Sequence, residues 1–547
     1  MVSGYMLLQL SITCQVIFEL KGAANVSDLF LLGIFRILNF SSRFDNAGDY
    51  GTRRRTLTEE DSLVSLLIYY LAAFGAYTVS IILMTGQSFG WKETKFSFYI
   101  GGRKTGMVSS ISTFCATWVS PLSIIGYGMW LYRDGYVAFF ASVNGWLLGL
   151  LFFPFIVRRL RICRVLSLPE WLEKTYGDAR ARKLVALTMI FLYTLYLVIQ
   201  FRAFGIIVSY MLEIPSGFAA TSLVYLFVLY TTFGGYSSVV RSDILNLSLI
   251  IFGVTAAAYC ALPAGFTAST VADILLMKGV HDAGVPTSPA EMFSLFAIML
   301  SWGLGVAGNP QYAIRIISCR RKRDAYGMLV ISPIIIGWIY VCTTIFILVC
   351  RTKYVGIGGL EETLGFAKLG QFLPNFAGTF LLVGVIAAAV STANSQLLLA
   401  ASSLCYDLFP PKKLAADSEA NPMEEDHFLL LNRIAITAIA SIALFLSHAK
   451  LPGYLILGRI SWTLVAICFF FPLFVPKYVV KKMLFYVLTV ALCLQFVFVF
   501  VAGISPEYSM LVVLIVEAAL FKFHRFFSAE SEAYYLYRHE EEGHDAS

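Results

Sequence analysis

The sequence predicts an all-α membrane protein that crosses the bilayer many times. Of its 547 residues 58% are apolar and only 14% are charged, whereas roughly a quarter of the residues in a soluble chain are charged. Apolar runs long enough to cross a ~30 Å hydrocarbon core recur along almost the whole chain. Two of these runs contain proline and several glycines, which indicates that two of the transmembrane helices are broken.

We predict thirteen transmembrane spans within a membrane domain that covers residues 61–525. The spans lie near residues 62–86, 105–132, 136–157, 184–212, 216–234, 243–263, 292–314, 326–350, 375–405, 428–448, 452–475, 483–503 and 506–522.

Lysine and arginine are divided unevenly between the loops on the two sides of these spans. One side holds clusters within 158–164, 180–183 and 320–323, and the other side holds few basic residues. Basic loops stay in the cytoplasm. We therefore expect a short cytoplasmic tail at 526–547, and we expect the first span to begin on the outer side of the membrane. The net charge of +7 therefore reflects membrane topology and indicates no nucleic-acid partner. The expected location is the plasma membrane, or the inner membrane of a bacterial cell.

The first sixty residues do not fit this topology. Arg43 and the run Arg53-Arg54-Arg55 would lie outside, against the charge rule, and residues 5–20 form a short apolar run. We expect residues 1–60 to be a leader or an over-extended start, and we assign them no function.

The second and seventh spans carry the helix-breaking residues. In the second span, residues 116–121 read Ala-Thr-Trp-Val-Ser-Pro, and Pro121 removes an N–H from the helix. In the seventh span, residues 302–311 contain three glycines, a proline and two amides. Unwound backbone is tolerated at membrane depth where it lines a cavity or is buried in protein. A single such break is typical of a simple kink, whereas a matched pair indicates a transporter built of inverted repeats.

The ninth span places hydroxyl groups on one helical face. Ala388, Ser391, Thr392 and Ser395 follow the i, i+3, i+4, i+7 spacing. Neutral oxygens with no acid beside them suit a monovalent cation that is held weakly enough to be released. The alternative is that these side chains only bond back to their own helix or let helices pack closely.

Other chemistries have little support in the sequence. The cysteines have no paired spacing, and the histidines are scattered, so neither a disulfide frame nor a metal centre is indicated. No phosphate-binding Gly-Lys-Ser/Thr loop is present, so uphill transport would have to draw on an ion gradient. We do not expect an enzyme.

These motifs together resemble those of the sodium/solute symporter family, which includes bacterial proline, pantothenate and sugar symporters. The likeness covers about residues 101–408 and is weaker beyond, and the topology is nearest to that of the bacterial proline carriers. The matching segments, in chain order, are 116–120 (Ala-Thr-Trp-Val-Ser), 168–177 (Leu-Pro-Glu-Trp-Leu-Glu-Lys-Thr-Tyr-Gly), 234–243 (Gly-Gly-Tyr-Ser-Ser-Val-Val-Arg-Ser-Asp), 308–315 and 388–396.

The resemblance implies a five-plus-five inverted-repeat core, with repeats at about 105–263 and 292–475, one preceding span and two following spans. It also implies Na⁺ as the coupling ion, bound between the second and ninth spans. By position, the ligands would be the carbonyls of Ala116, Val119 and Ala388 and the hydroxyls of Ser391 and Thr392.

Some family members hold a second Na⁺, and the matching positions here are Asp243, Asn394 and Ser395. A carboxylate within an apolar span is a functional hypothesis by default. Asn394 stands where the family has a serine, which puts the second ion in doubt. The alternative for Asp243 is that it caps its helix or pairs with Arg241.

The resemblance implies a small organic solute as the transported substrate. Sugar carriers have an acidic and an amide residue where this chain has Pro121-Leu122-Ser123, which argues against a sugar. A zwitterion such as proline, or a small carboxylate, is the leading class. The groups expected to face the cavity are Trp118, Ser120, Ser123, Tyr127, Trp302, Asn309 and Gln311, although ordinary packing accounts equally well for Trp118 and Tyr127.

Two alternative functions remain at this stage. A proton-coupled carrier would need a titratable group in the cavity, for which Asp243 and Glu517 are the candidates. A transporter-like membrane sensor is disfavoured, because about 26 residues follow Phe521 and a signalling domain needs more. The sequence indicates no particular oligomeric state.

Overall fold

The computed structural model describes residues 59–86, 94–163, 165–276, 286, 288–354, 357–410, 422–481 and 483–527. The chain divides into two units, Met1–Leu63 and Val64–Ser547, and only the helical residues from Glu59 onward are described in the first. The expected leader and the cytoplasmic tail therefore fall almost wholly outside the described residues. The second unit contains the candidate sites.

Helices make up nearly all of the described chain. The only pairing of the β type within these ranges is an isolated bridge between Thr105 and Cys319. The helices are α1 (Glu59–Gly86), α2 (Lys95–Ile100), α3 (Met107–Trp118), α4 (Tyr127–Asp134), α5 (Tyr136–Ile162), α6 (Leu168–Tyr176), α7 (Ala179–Leu212), α8 (Ser216–Ala261), α9 (Ala268–Leu275), α10 (Pro289–Ala307), α11 (Pro310–Ser318), α12 (Lys322–Lys353), α13 (Glu362–Gln371), α14 (Asn375–Ser402), α15 (Pro422–Ser447), α16 (Tyr454–Phe474), α17 (Leu484–Phe496) and α18 (Pro506–Phe527). The predicted all-α membrane fold is confirmed.

The predicted number of thirteen spans is not confirmed. Among the described residues, ten helices are long and apolar enough to cross a membrane, or eleven if α3 and Leu122–Asp134 form one bent span. The two predicted spans outside this set are 216–234 and 506–522. The first is the N-terminal part of α8, which bends at Gly235, and the second lies in α18, which carries Glu507, Glu517 and Lys522. These charged residues lower the apolar character of α18.

Both predicted helix breaks are present. The second span bends by 57° between α3 and Leu122–Asp134, and Val119 at the break has extended backbone (φ −81°, ψ 101°). The seventh span divides into α10 and α11 at Gly308 and Asn309, where the Asn309 side chain caps α11 by accepting a hydrogen bond from Gln311 N–H. In the seventh span a residue at the break, Asn309, therefore also satisfies a backbone group there.

α14 is the most deeply buried candidate span of the second unit. Of its most apolar stretch 89% is buried, against 17% for α1 at the periphery. It packs against α3, α7, α8, α11 and α15. Gly253 of α8 allows one of these close approaches, since a Cβ atom at that position would lie 2.3 Å from the carbonyl oxygen of Phe380 in α14. The α8–α14 contact therefore depends on the absence of a side chain.

We expect Gly253→Ala to destabilise the protein by about 1–3 kcal/mol, because α8 would have to move away from α14 to accept the methyl group. Thermal unfolding of the detergent-purified protein measures this loss as a lower melting temperature. Gly337→Ala in α12 is the matched control, since no atom lies within 4 Å of a Cβ built there. Equal melting temperatures for the two variants would show that the contact is not tight.

Candidate functional site

The break after α3 frees backbone carbonyl groups inside the protein. In a continuous helix the Thr117 carbonyl would accept a hydrogen bond from the N–H of residue 121, which is proline and has none. Val119 leaves the helical conformation and its N–H bonds back to Cys115 O at 3.0 Å. The carbonyls at the end of α3 therefore need donors from another helix, or a cation.

Two hydroxyls of α14 meet these carbonyls. Ser391 Oγ donates to Ala116 O at 2.7 Å and lies 3.0 Å from Ala388 O within its own helix. Thr392 Oγ1 donates to Thr117 O at 3.4 Å. All of these residues are buried. The structure therefore brings together four of the five residues named for the sodium site.

Val119 is the fifth residue of that set. It is fully buried at the end of α3, but among the described residues no hydrogen bond joins it to α14. Because its backbone is extended, its carbonyl no longer points along the helix axis as the carbonyls within α3 do. Its part in ion binding stays a prediction.

The oxygens in this group are neutral. They come from main-chain carbonyls and hydroxyls, and no group of three or more His, Cys, Asp or Glu side chains suited to a metal occurs in the described part of the chain. Carbonyl and hydroxyl oxygens suit hard cations, and transition metals favour imidazole or thiolate ligands.

Arg315 of α11 is a buried cation next to this group. Its Nη1 donates to Gln311 O at 2.7 Å, and its Nη2 donates to Thr117 Oγ1 at 2.7 Å and to Ser395 Oγ. It connects α11 to both α3 and α14. Sequence reasoning did not name Arg315 as a site residue, although an arginine within an apolar span is itself a functional signal.

The residues named for a second ion do not contact one another in the hydrogen bonds described; Asp243 and Ser395 each have a partner outside this set. Asp243 is fully buried within α8 and accepts a hydrogen bond from Thr113 Oγ1 at 2.6 Å, while its Oδ1 has no partner. It therefore does not cap a helix, and Arg241 is exposed. Ser395 contacts Arg315 and donates to Ser391 O at 3.1 Å. Asn394 is buried on the same helix.

The residues named for the solute separate into two groups. Asn309 and Gln311 line one cavity together with Tyr193, Gln396 and Trp462. In this cavity Asn309 Oδ1 accepts from Tyr193 OH at 3.1 Å and from Gln311 N–H at 2.9 Å. Sequence reasoning did not name Tyr193, Gln396 and Trp462 as site residues; Gln396 ends the matching segment 388–396, and no local motif marks the other two.

The other residues named for the solute form an aromatic and hydroxyl layer beside this cavity. The Trp118 ring stacks on Tyr312 at 4.7 Å between centroids, and the Trp302 ring lies 6.0 Å from that of Trp462. Tyr127 bonds Thr344 at 2.7 Å, so its hydroxyl already has a partner. Ser120 Oγ lies 3.4 Å from Tyr196 OH and 3.5 Å from Ser123 Oγ.

The fold and this site together define a multi-pass membrane transporter built around two broken helices. The family model described as "Sodium:solute symporter family" matches residues 98–484, and the chain belongs to this family. It is a sodium-coupled importer of a small organic solute, with Na⁺ as its coupling ion.

Curated relatives agree with this assignment, and a solved structure has a similar fold. A sodium/proline symporter 2 of Staphylococcus saprophyticus is 25% identical over 70% of this chain and 76% of its own. A sodium/proline symporter of Haemophilus influenzae is 25% identical over 72% of this chain and 80% of its own. The structure of a Na⁺-coupled sialic acid symporter has a TM-score of 0.67 at 14% identity and covers 84% of this chain and 97% of that one. This last likeness shows the fold alone.

We expect Arg315→Lys to lower stability by about 2 kcal/mol. A lysine cannot reproduce the planar fork that reaches Gln311, Thr117 and Ser395, and each buried group left without its partner costs about 1–3 kcal/mol. Thermal unfolding in detergent measures the loss, and the exposed Arg241→Lys in α8 is the control. An unchanged melting temperature for Arg315→Lys would mean that the ammonium group satisfies the same partners.

Proposed function

We propose that this protein imports a zwitterionic solute such as proline together with one Na⁺. The ion would be bound by the carbonyls of Ala116, Val119 and Ala388 and by the hydroxyls of Ser391 and Thr392. The observation that carries the proposal is the contact of Ser391 Oγ with Ala116 O at 2.7 Å and with Ala388 O at 3.0 Å. It gathers oxygens from two helices around one buried point.

A monovalent ion suits this group of oxygens better than a divalent one. Five neutral oxygens hold Na⁺ without the deep energy well that several carboxylates would create, and transport requires release. When Na⁺ binds, the hydroxyl protons turn away and the oxygen lone pairs face the ion. The ion would then replace the direct bond between Ser391 and Ala116 and join α14 to α3 through its own charge.

The proposed solute class rests on the N-terminal end of α11. The positive end of a helix dipole favours a negative group, and Asn309 and Gln311 at this end line the cavity. The ring of Trp462 in the same cavity can face an ammonium group. A zwitterion offers both charges within a few ångströms, and the sodium/proline relatives point to the same class.

A second sodium ion at Asp243, Asn394 and Ser395 stays a separate prediction. A cation at Ser395 would share that hydroxyl with the guanidinium of Arg315, which is already positive. The proposal therefore needs one ion for each solute. The C-terminal tail would lie in the cytoplasm and the protein in the plasma membrane, as the loop charges indicate.

Uptake by purified protein in liposomes tests the proposal. An inward Na⁺ gradient at equal pH should drive accumulation of labelled L-proline, whereas an inward proton gradient in K⁺ should not. Accumulation driven by protons alone would favour the proton-coupled alternative. Sodium-driven uptake of a small carboxylate without uptake of proline would correct the solute class and keep the coupling ion.

We expect Ser391→Ala and Thr392→Ala each to raise the half-saturating Na⁺ concentration about tenfold, which corresponds to about 1.4 kcal/mol for one lost ligand. A Na⁺-dependent thermal shift, measured without any solute, reports this directly. Thr379→Ala is the matched control, because Thr379 is a buried hydroxyl residue of the same helix, three turns away. A double variant with wild-type Na⁺ dependence would place the ion elsewhere.

A further inference from the structure

The cavity at the break between α10 and α11 contains a side chain that no part of the proposed function uses. Gln396 of α14 is 1% exposed and lines this cavity, and neither its Oε1 nor its Nε2 has a hydrogen-bond partner. Buried side-chain amides are nearly always hydrogen bonded, so an amide with both ends free needs an explanation. The cavity beside it supplies one.

The lining of this cavity comes from four different parts of the chain. Tyr193 and Tyr196 belong to α7, Asn309 and Gln311 lie at the start of α11, and Trp462 belongs to α16. Gln396 adds a group from α14. The cavity therefore lies where α7, α11, α14 and α16 meet. It is narrow, with room for about one water-sized molecule. A larger solute would require these side chains to move apart.

The lining of the cavity is uncharged, and its few polar groups lie within a mainly apolar surface. In the described part of the chain its lining consists of amides, hydroxyls, aromatic rings and aliphatic groups, without a Lys, Arg, Asp or Glu. A ligand with a single unbalanced charge would be left unpaired here, which is costly in a buried site. A ligand with no net charge and with both donors and acceptors fits the lining, and the two ends of the Gln396 amide complement such a ligand.

Gln396 also lies next to the proposed ion site along the same helix. It follows Ser391 by five residues and Thr392 by four, so it lies about one turn away from both hydroxyls. A solute that bonds Gln396 and an ion that bonds Ser391 would therefore hold the same rigid segment of α14.

We propose that Gln396 binds the transported zwitterion directly, with Nε2 donating to its carboxylate and Oε1 accepting from its ammonium group. This inference rests on the proposed function and adds a specificity-determining residue to it. The same contact would let solute and Na⁺ favour one position of α14 together, because each ligand stabilises the state that it binds better.

The first test uses L-proline as the probe and thermal shift in Na⁺ as the readout. Gln396→Leu should raise the L-proline concentration needed for a half-maximal thermal shift about 10- to 100-fold. This is the loss expected when hydrogen bonds to charged groups are removed. The shift caused by Na⁺ alone should stay as in the wild type. Gln495→Leu is the matched control, since Gln495 is a buried amide of α17 that bonds Thr463 and Pro506 outside this cavity.

Gln396→Glu separates a binding role from a structural one. The introduced carboxylate should repel the carboxylate of L-proline and attract the cation pyrrolidine, which lacks a carboxyl group. The expected result is that the wild-type protein prefers L-proline and the Gln396→Glu variant prefers pyrrolidine. Equal weakening for both, together with a reduced Na⁺ shift, would indicate that Gln396 only supports the packing of α14 and would overturn the inference.

A second test does not depend on the identity of the solute. Gln396→Cys in a background without other cysteines should react with the small neutral reagent methyl methanethiosulfonate, and mass spectrometry detects the adduct. Leu397→Cys, which is buried on the same helix and does not line the cavity, should stay unreactive. If position 396 does not react, the inference is wrong whatever the solute. If position 396 reacts but the wild-type protein shows no thermal shift with L-proline, residue 396 does face the cavity and the proposed solute class is wrong.

Discussion

The requirement that every buried carbonyl in a membrane protein find a partner shapes the rest of this structure. Lipid offers no hydrogen-bond donor, so a helix can break at membrane depth only where protein groups or a bound ion replace the lost N–H groups. At the end of α3 the replacement comes from Ser391 and Thr392 of α14. At the start of α11 it comes from the side chain of Asn309. The central position of α14 follows from this requirement, because its hydroxyls must reach the break in α3.

One ion is sufficient for the work that such a site has to do. A single Na⁺ that moves down ~100 mV releases about 2.3 kcal/mol, and a tenfold sodium gradient adds about 1.4 kcal/mol. Together these can concentrate a neutral solute several hundred-fold. The fixed positive charge of Arg315 contributes nothing to this driving force, because it stays with the protein. Its hydrogen bonds instead join α3, α11 and α14 to one another.

Features that depend on local chemistry could be predicted from the sequence, and features that depend on distant segments could not. The breaks follow from Pro121 and from the run of glycines before Pro310, and the hydroxyl face of α14 follows from helical spacing. Gln396 was overlooked because its role depends on α7, α11 and α16, which the chain brings to it from far away. The count of thirteen spans is not confirmed, although the kink at Gly235 does divide α8 into two helical parts where apolarity suggested two spans.

The isolated bridge between Thr105 and Cys319 has a consequence for how the two broken helices can move. Thr105 N–H donates to Ser318 O at 3.3 Å, and Arg320 N–H donates to Thr105 O at 2.8 Å. The beginning of α3 is thereby joined to the end of α11 by main-chain bonds that do not depend on any particular side chain. Substitutions of side chains around the cavity would leave these main-chain bonds in place. The two half-helices are thus tied together at the ends that lie away from their breaks, so a displacement of α3 at this junction would carry α11 with it.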